Sequence, residues 1–237
     1  MRPQPTVYGK LIPEISDKIL DVFNWAITSR ARNYFIRFDL SFPADGAIRN
    51  ESQLFGDFMR TLIQYENRNL CGDVFYCAAV ERESSKNSHY HVFLLYNGHK
   101  TQNLYAHMQK AIELWGLILD LPGPALGLIH YRTKDNGIMI RRDWANYENQ
   151  LALAIFQALY LAKSATKETI LMGRRRRFSS TKGIPHRSLD WPFPFLMDLP
   201  LIPRAQKRPE AVIMEEPSFD FFPSSESSAG DDQPAAF

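Results

Sequence analysis

Hydrophobic and polar positions follow two different periods along this chain. Apolar residues recur at helical spacing in four segments, which predicts helices at 15–27, 52–67, 103–118 and 147–166. Alternating or short β-branched and aromatic runs predict strands at 34–42, 74–80, 89–96, 126–131 and 137–141. The order of these elements within 34–166 indicates an α+β domain of split-βαβ, ferredoxin-like type, in which helices flank an antiparallel sheet.

The pattern changes at both ends of the chain. Residues 1–32 are expected to form an N-terminal extension with one helix, and residues 33–190 the α+β domain. Prolines interrupt a short apolar stretch at 191–203, which we expect to pack on the domain. From residue 204 to 237 the apolar content falls and Pro, Ser and Glu become frequent, a composition typical of a disordered tail.

Composition places the chain among ordinary soluble proteins. Of its 237 residues, 45% are hydrophobic and 23% charged, which excludes fibrous and disulfide-scaffold classes. No uncharged stretch is long enough to span a bilayer, so we expect no membrane partner. With 2 cysteines and no apolar signal segment at the start, a reducing cytoplasm is the expected location.

Charge is unevenly distributed along the chain. The net charge of +2 divides into −4 for residues 204–237 and +6 for residues 1–203. Residues 162–187 hold 8 basic side chains and one acid, including the run Arg174, Arg175, Arg176 and Arg177. Such a cluster favours a polyanion, nucleic acid in particular. The alternative is a solvated basic loop.

Two histidines two residues apart are the most specific sign of a functional site in the sequence. On a strand, His89 and His91 point to the same face with Cα atoms roughly 6.5 Å apart, so both imidazoles can approach one divalent cation. If the strands at 74–80 and 89–96 pair as a hairpin, Glu81 arrives beside them. A site of imidazole and carboxylate ligands suits Mg²⁺ or Mn²⁺, whereas nitrogen ligands alone would favour Zn²⁺. The alternative is two strand histidines that bind nothing.

A tyrosine on the last predicted helix is the second feature. On an ideal helix, Lys163 lies about 60° and Lys167 about 20° from the direction of Tyr160, away from the apolar stripe. Neighbouring ammonium groups stabilise a phenolate and neutralise a phosphate. The alternative is an amphipathic tyrosine at the border of the core.

Asp39 shares the polar face of the first strand with Arg37. Its carboxylate could orient a histidine or a water molecule. A pairing with Arg37 along the strand surface is the interpretation that the residues alone favour.

Taken together, these motifs resemble the HUH endonuclease superfamily of rolling-circle replication initiators. Within it, the chain is similar to the inovirus gene-II-type replication proteins, the YagK/YfjJ-like family of filamentous phage and prophage-like elements. The motifs occur in the order Phe35-Ile36-Arg37-Phe38-Asp39-Leu40, Glu81, His89-Tyr90-His91 and Tyr160-Leu161-Ala162-Lys163. The resemblance covers residues 33–182.

The resemblance implies a metal-dependent, site-specific enzyme that nicks and joins single-stranded or hairpin DNA. His89 and His91 would hold the divalent metal, with Glu81 as a third ligand. Tyr160 would attack the scissile phosphate and form a 5′-phosphotyrosine, and Lys163 would be its electrostatic partner.

Further expectations and two rival functions accompany this hypothesis. Phe156 occupies the position of the second tyrosine in two-tyrosine initiators, which predicts a single-tyrosine enzyme. The motif that contains Asp39 would support the fold and DNA contact. Because the chain has no ATP-binding P-loop motif, unwinding would have to come from a host helicase or other replication machinery. The rivals are a non-catalytic DNA-binding regulator of a mobile element and a metal hydrolase unrelated to nucleic acid, which the basic segment disfavours.

Overall fold

The computed structural model describes residues 11–44, 48–69, 72–81, 87–132, 137–163 and 178–185. The helices of this part are α1 (Pro13–Ser29), α2 (Glu51–Asn69), α3 (Leu104–Ile118) and α4 (Tyr147–Leu159). The strands are β1 (Arg32–Leu40), β2 (Phe75–Glu81), β3 (His89–Asn97), β4 (Ile129–Tyr131), β5 (Ile138–Arg141) and β6 (Phe178–Ser180). The predicted α+β class is confirmed.

All six strands belong to one antiparallel sheet. Its order is β4-β1-β3-β2-β6, and β5 pairs with the first half of β1. The predicted hairpin of β2 and β3 is present, and its register places Glu81 opposite His89. β3 therefore lies in the middle of the sheet, between β1 and β2.

Period-two alternation gives the sheet an apolar surface on both faces. Tyr34, Ile36 and Phe38 of β1 pack with α2 and α3. Phe35 lies on the opposite face, where its ring centroid is 5.8 Å from that of Phe23 in α1. α4 covers the same face as α1. The sheet is thus the middle of three layers, and α1, predicted to precede the domain, contributes directly to its core.

The last long helix is shorter than its sequence predicts. α4 was expected to continue to residue 166, but it ends at Leu159, and Tyr160–Ala162 form a single 3₁₀ turn. The Ile12 N–H donates to the Ala162 carbonyl at 2.8 Å, and Leu11 forms a β-bridge with Lys163. These long-range backbone bonds hold Lys163 in an extended conformation, which no helix propensity of residues 160–163 reveals.

Two strand predictions also need correction. The strand expected at 126–131 begins only at Ile129, after Gly127, whose positive φ of 74° lies outside the range for strands. β6 was not predicted, because it is a three-residue strand that depends on pairing with β2.

A buried polar cluster lies between α2, β3 and α3. The Nδ1–H of His107 donates to Glu66 Oε2 at 2.8 Å, and the Thr101 hydroxyl lies 2.6 Å from Nε2 of the same ring. Tyr96 donates to Glu66 Oε1 at 3.4 Å and stacks on His107. Because the Glu66 and His107 side chains are at most 1% exposed, these bonds replace the water that burial removes.

The proline-containing segment 191–203 and the acidic tail 204–237 lie outside the described residues. Among the helices that the structure describes, none combines the length and apolarity needed to cross a bilayer.

Candidate active site around His91 and Tyr160

The sheet register brings the polar side chains of three strands together. Asp39 of β1 is the cross-strand partner of His91, and Glu81 is the partner of His89. Cross-strand partners emerge on the same face of a sheet. All four side chains therefore lie on the face that α1 and α4 cover, near the beginning of β3.

His91 lies between two carboxylates. Its Nδ1 bonds Asp39 Oδ1 at 2.6 Å, and its Nε2 contacts Glu81 Oε2. Burial alone would lower the pKa of His91, but the hydrogen bonds to Asp39 and Glu81 and their negative charges raise it above its ordinary value. The imidazolium, which donates from both nitrogens, is thus the form that this environment favours.

Asp39 joins this histidine to two arginines. Arg132 Nε donates to Oδ2 at 2.6 Å, and Arg37 Nη2 lies 3.4 Å from Oδ1. Burial would raise the pKa of Asp39, but the bond from His91 and the charges of His91, Arg37 and Arg132 outweigh it and lower the pKa to about 2. Asp39 therefore does pair with Arg37. Its contact with His91 is shorter, which shows that Asp39 also orients that imidazole.

Tyr160 reaches this cluster from the 3₁₀ turn after α4. Its ring meets the His91 imidazole edge to face, with centroids 5.1 Å apart and planes at 86°. The Arg37 guanidinium lies 4.1 Å from the Tyr160 ring centroid, and Lys163 Nζ lies 5.6 Å from it. The structure therefore brings the predicted phenol together with one of the two predicted histidines and with Lys163.

Sequence reasoning did not assign a role at the site to two arginines. The strand alternation predicts that Arg37 shares a face with Asp39 and pairs with it. It does not predict the contact of Arg37 with Tyr160, because that contact depends on where α4 ends. Arg132 follows β4, and its backbone N–H donates to the Arg37 carbonyl at 2.9 Å. Its position follows from β4 lying beside β1, a long-range pairing that no local pattern in the sequence signals.

The predicted metal ligands fit a cation in part. Within the described ranges, no group of three or more His, Cys, Asp or Glu side chains is arranged to hold a metal ion. His91 Nε2 and Glu81 Oε2 nevertheless meet at one point, while Nδ1 of the same ring bonds Asp39. That pattern, with a carboxylate on the second ring nitrogen, usually supports a metal-binding histidine. His89 is partly buried on the same face, opposite Glu81.

Comparison with known proteins bears on this site. A model of the YagK/YfjJ C-terminal domain matches residues 6–180. The chain belongs to the YagK/YfjJ C-terminal domain family. No curated protein and no solved structure matched the chain.

The YagK/YfjJ domain of this chain includes every described element from α1 to β6 and every side chain of the cluster. The other predicted site residues, Lys167 and the arginines at 174–177, lie outside the described residues. What the described part assembles is a phenol whose ring contacts two cations, next to a histidine that two carboxylates orient. Such a set can deliver an oxygen nucleophile to an anionic substrate.

Proposed function

We propose that this YagK/YfjJ domain nicks and rejoins single-stranded DNA through Tyr160, as the rolling-circle replication initiator of a phage or prophage-like element. The observation that carries the proposal is the edge-to-face contact of Tyr160 with His91, at 5.1 Å between ring centroids. A tyrosine at residue 160 and a histidine at residue 91 are distant in the sequence, and their meeting requires the whole sheet and α4.

Tyr160 acts as the nucleophile. A phenol has an ordinary pKa near 10 and reacts slowly at neutral pH unless cations stabilise the phenolate. Arg37 and Lys163 supply two cations, at 4.1 and 5.6 Å from the ring centroid. The Tyr160 oxygen attacks phosphorus and gives up its proton to solvent water. The bond from phosphorus to the 3′ oxygen breaks, and the departing oxygen takes up a proton to become a 3′-hydroxyl.

The covalent product is a 5′-phosphotyrosine, which keeps the energy of the phosphodiester bond for rejoining. Most of the rate acceleration in enzymatic phosphoryl transfer comes from positioning the reactants and neutralising their charge. A few fixed cations can supply both. Arg37 and Lys163, which stabilise the phenolate, can also face the scissile phosphate.

Glu81, His91 and His89 would hold a divalent cation, Mg²⁺ or Mn²⁺. When bound, that cation would supply Lewis-acid neutralisation of phosphate charge. Asp39 assists by keeping its bond to Nδ1 of His91, which leaves Nε2 directed toward Glu81. To hold the cation through Nε2, His91 would have to be the neutral imidazole with its remaining proton on Nδ1, where Asp39 accepts it.

The strand order supports the HUH assignment. β1 and β2 run parallel to each other with the antiparallel β3 between them, and β4 lies on the far side of β1. α2 lies between β1 and β2 in the chain, and α3 between β3 and β4. This order supports the proposed split-βαβ, ferredoxin-like core. Single-stranded or hairpin DNA is the proposed partner, and a host helicase would unwind the duplex.

Tyr160→Phe tests the chemistry directly. The wild-type protein, incubated with Mn²⁺ and an origin-derived single strand of the parent element, is expected to form an adduct that survives denaturing electrophoresis. Tyr160→Phe should form none while binding the same strand. Tyr147→Phe, which alters the tyrosine at the start of α4, is the matched control and should react like the wild type.

A non-catalytic DNA-binding regulator on the same fold is the competing function. It predicts strand binding without an adduct in any of the three proteins. An adduct that persists in Tyr160→Phe would instead show a different nucleophile and contradict the assignment.

A further inference from the structure

A groove of 710 Å³ lies on the sheet face opposite Tyr160, between α2 and the strands β2, β3 and β6. Its volume falls within the range of roughly 300–1,000 Å³ that is usual for ligand sites. The floor consists of side chains from β2 and β3, namely Tyr76, Ala78, Val80 and Tyr90. α2 forms one wall, and β6 with the turn after it forms the other.

The charge of the groove is positive. Arg60 of α2 and Lys182 after β6 stand on opposite walls, and none of the described lining residues is acidic. Arg60 pairs with Asp57 at 3.1 Å, but the Arg60 side chain is 67% exposed and Asp57 does not line the groove. Exposed pairs of this kind are worth little, so the guanidinium can exchange Asp57 for a phosphate.

The floor between these cations is aromatic. Tyr90 already stacks on Phe55, with ring centroids 3.8 Å apart and planes at 10°, and both are buried. Tyr76 is partly exposed in the groove. A flat aromatic ring between two cations is the usual composition of a site for an unpaired nucleotide, since the base stacks on the ring and phosphates meet the cations.

The groove also lies close to the candidate active site. On its floor, Val80 pairs with Tyr90, directly between the pairs Ala79–His91 and Glu81–His89 that face the other way. In the described part of the chain, β6 forms this edge of the sheet. Phe178 of β6 lines the groove and also packs against the core under α1 and α4. A strand that follows this edge therefore reaches both faces.

We propose that the groove binds an unpaired segment of the DNA substrate, with one base stacked on Tyr76 and the neighbouring phosphates on Arg60 and Lys182. The identity of the ligand as DNA rests on the proposed function. Binding in the groove itself needs neither Tyr160 nor a metal ion, so it can be measured apart from nicking.

The experiment measures the affinity of the full chain for a fluorescein-labelled dT15 strand by fluorescence anisotropy in EDTA, at several salt concentrations. Tyr76→Ala should weaken binding about tenfold, since stacking on one aromatic ring contributes about that much per base. Tyr76→Phe keeps the ring and should bind like the wild type. This pair separates stacking from a general loss of folding.

A double variant, Arg60→Gln with Lys182→Gln, tests whether these two cations bind phosphates of the strand. Loss of two phosphate contacts should reduce the slope of log affinity against log salt by about 1.4. Lys100→Gln combined with Lys110→Gln removes the same charge outside the groove and should leave the slope unchanged.

Equal affinities for Tyr76→Ala and the wild type, or equal slopes for the two double variants, would overturn the groove as a DNA site. The adduct assay separates this result from a failure of the proposed function. If the wild type forms no adduct but the groove variants bind more weakly as described, the groove inference stands and the nuclease proposal falls. If the wild type forms adducts while the groove variants bind dT15 as tightly as the wild type, the nuclease proposal stands and the groove inference falls.

Discussion

Replacing Asp39 with asparagine removes the negative charge that His91, Arg37 and Arg132 share. The environment of the folded protein lowers the pKa of Asp39 from 3.8 to about 2. Because one pKa unit corresponds to about 1.4 kcal/mol, the ionised carboxylate contributes about 2 kcal/mol to folding at neutral pH. The side chain is 14% exposed, so solvent screens this contribution little. Asp39→Asn should therefore lower the free energy of unfolding by about 2 kcal/mol at pH 7.

The pH dependence of this loss follows from the direction of the shift. A carboxyl whose pKa is lower in the folded state stabilises the protein above its unfolded value of 3.8. That contribution disappears as the pH falls from 3.8 through about 2. The difference between Asp39→Asn and the wild type should therefore be largest at neutral pH and shrink across that acidic window.

Urea unfolding in EDTA, followed by the fluorescence of tryptophan, measures the effect at each pH. Asp143→Asn is the matched control, because Asp143 also accepts two hydrogen bonds from an arginine but is 60% exposed. Because solvent screens that exposed pair, its substitution should lower the free energy of unfolding much less than Asp39→Asn does. If Asp39→Asn costs no more than Asp143→Asn at pH 7, the assignment of Asp39 as the charged centre of this cluster is wrong.

Two further predictions concern the buried cluster and the metal. Glu66→Ala should lower the free energy of unfolding by about 3 kcal/mol, since it leaves His107 without its buried acceptor and opens a cavity. Glu113→Ala, at a partly exposed pair with Lys110, should lower it by under about 1 kcal/mol in the same urea titration. His91→Ala should abolish Mn²⁺ binding in isothermal titration calorimetry while exposed His99→Ala leaves it unchanged, and equal Mn²⁺ affinity in both variants would exclude His91 as a ligand.

The spacing of apolar residues predicts many elements of this fold, because most of its helices and strands are long and regular. Alternation in 34–40 assigns Tyr34, Ile36 and Phe38 to one core and leaves Asp39 on the opposite face, as observed. The polar loop between two strands predicts the hairpin, and the hairpin places Glu81 opposite His89. These relations span few residues, so spacing alone determines them.

The remaining features depend on contacts between distant segments. Helix propensity extends α4 past Tyr160, but the bridge between Leu11 and Lys163 ends it and turns the phenol toward His91. Arg132 reaches Asp39 because β4 pairs with β1. Arg37 contacts the Tyr160 ring because α4 ends before that tyrosine. A sequence pattern predicts faces and elements, whereas the partners of a charged side chain follow from the order of strands.

The proposed nicking reaction requires a covalent bond between the Tyr160 oxygen and DNA. The most direct test is peptide mapping by mass spectrometry after the wild-type protein has reacted with an origin-derived single strand and Mn²⁺ and both polymers have been digested. If Tyr160 is the nucleophile, we expect a nucleotide attached through its 5′-phosphate to the peptide that contains Tyr160. A nucleotide attached to a different residue, or intact DNA with no modified peptide under conditions where the strand is bound, would contradict it.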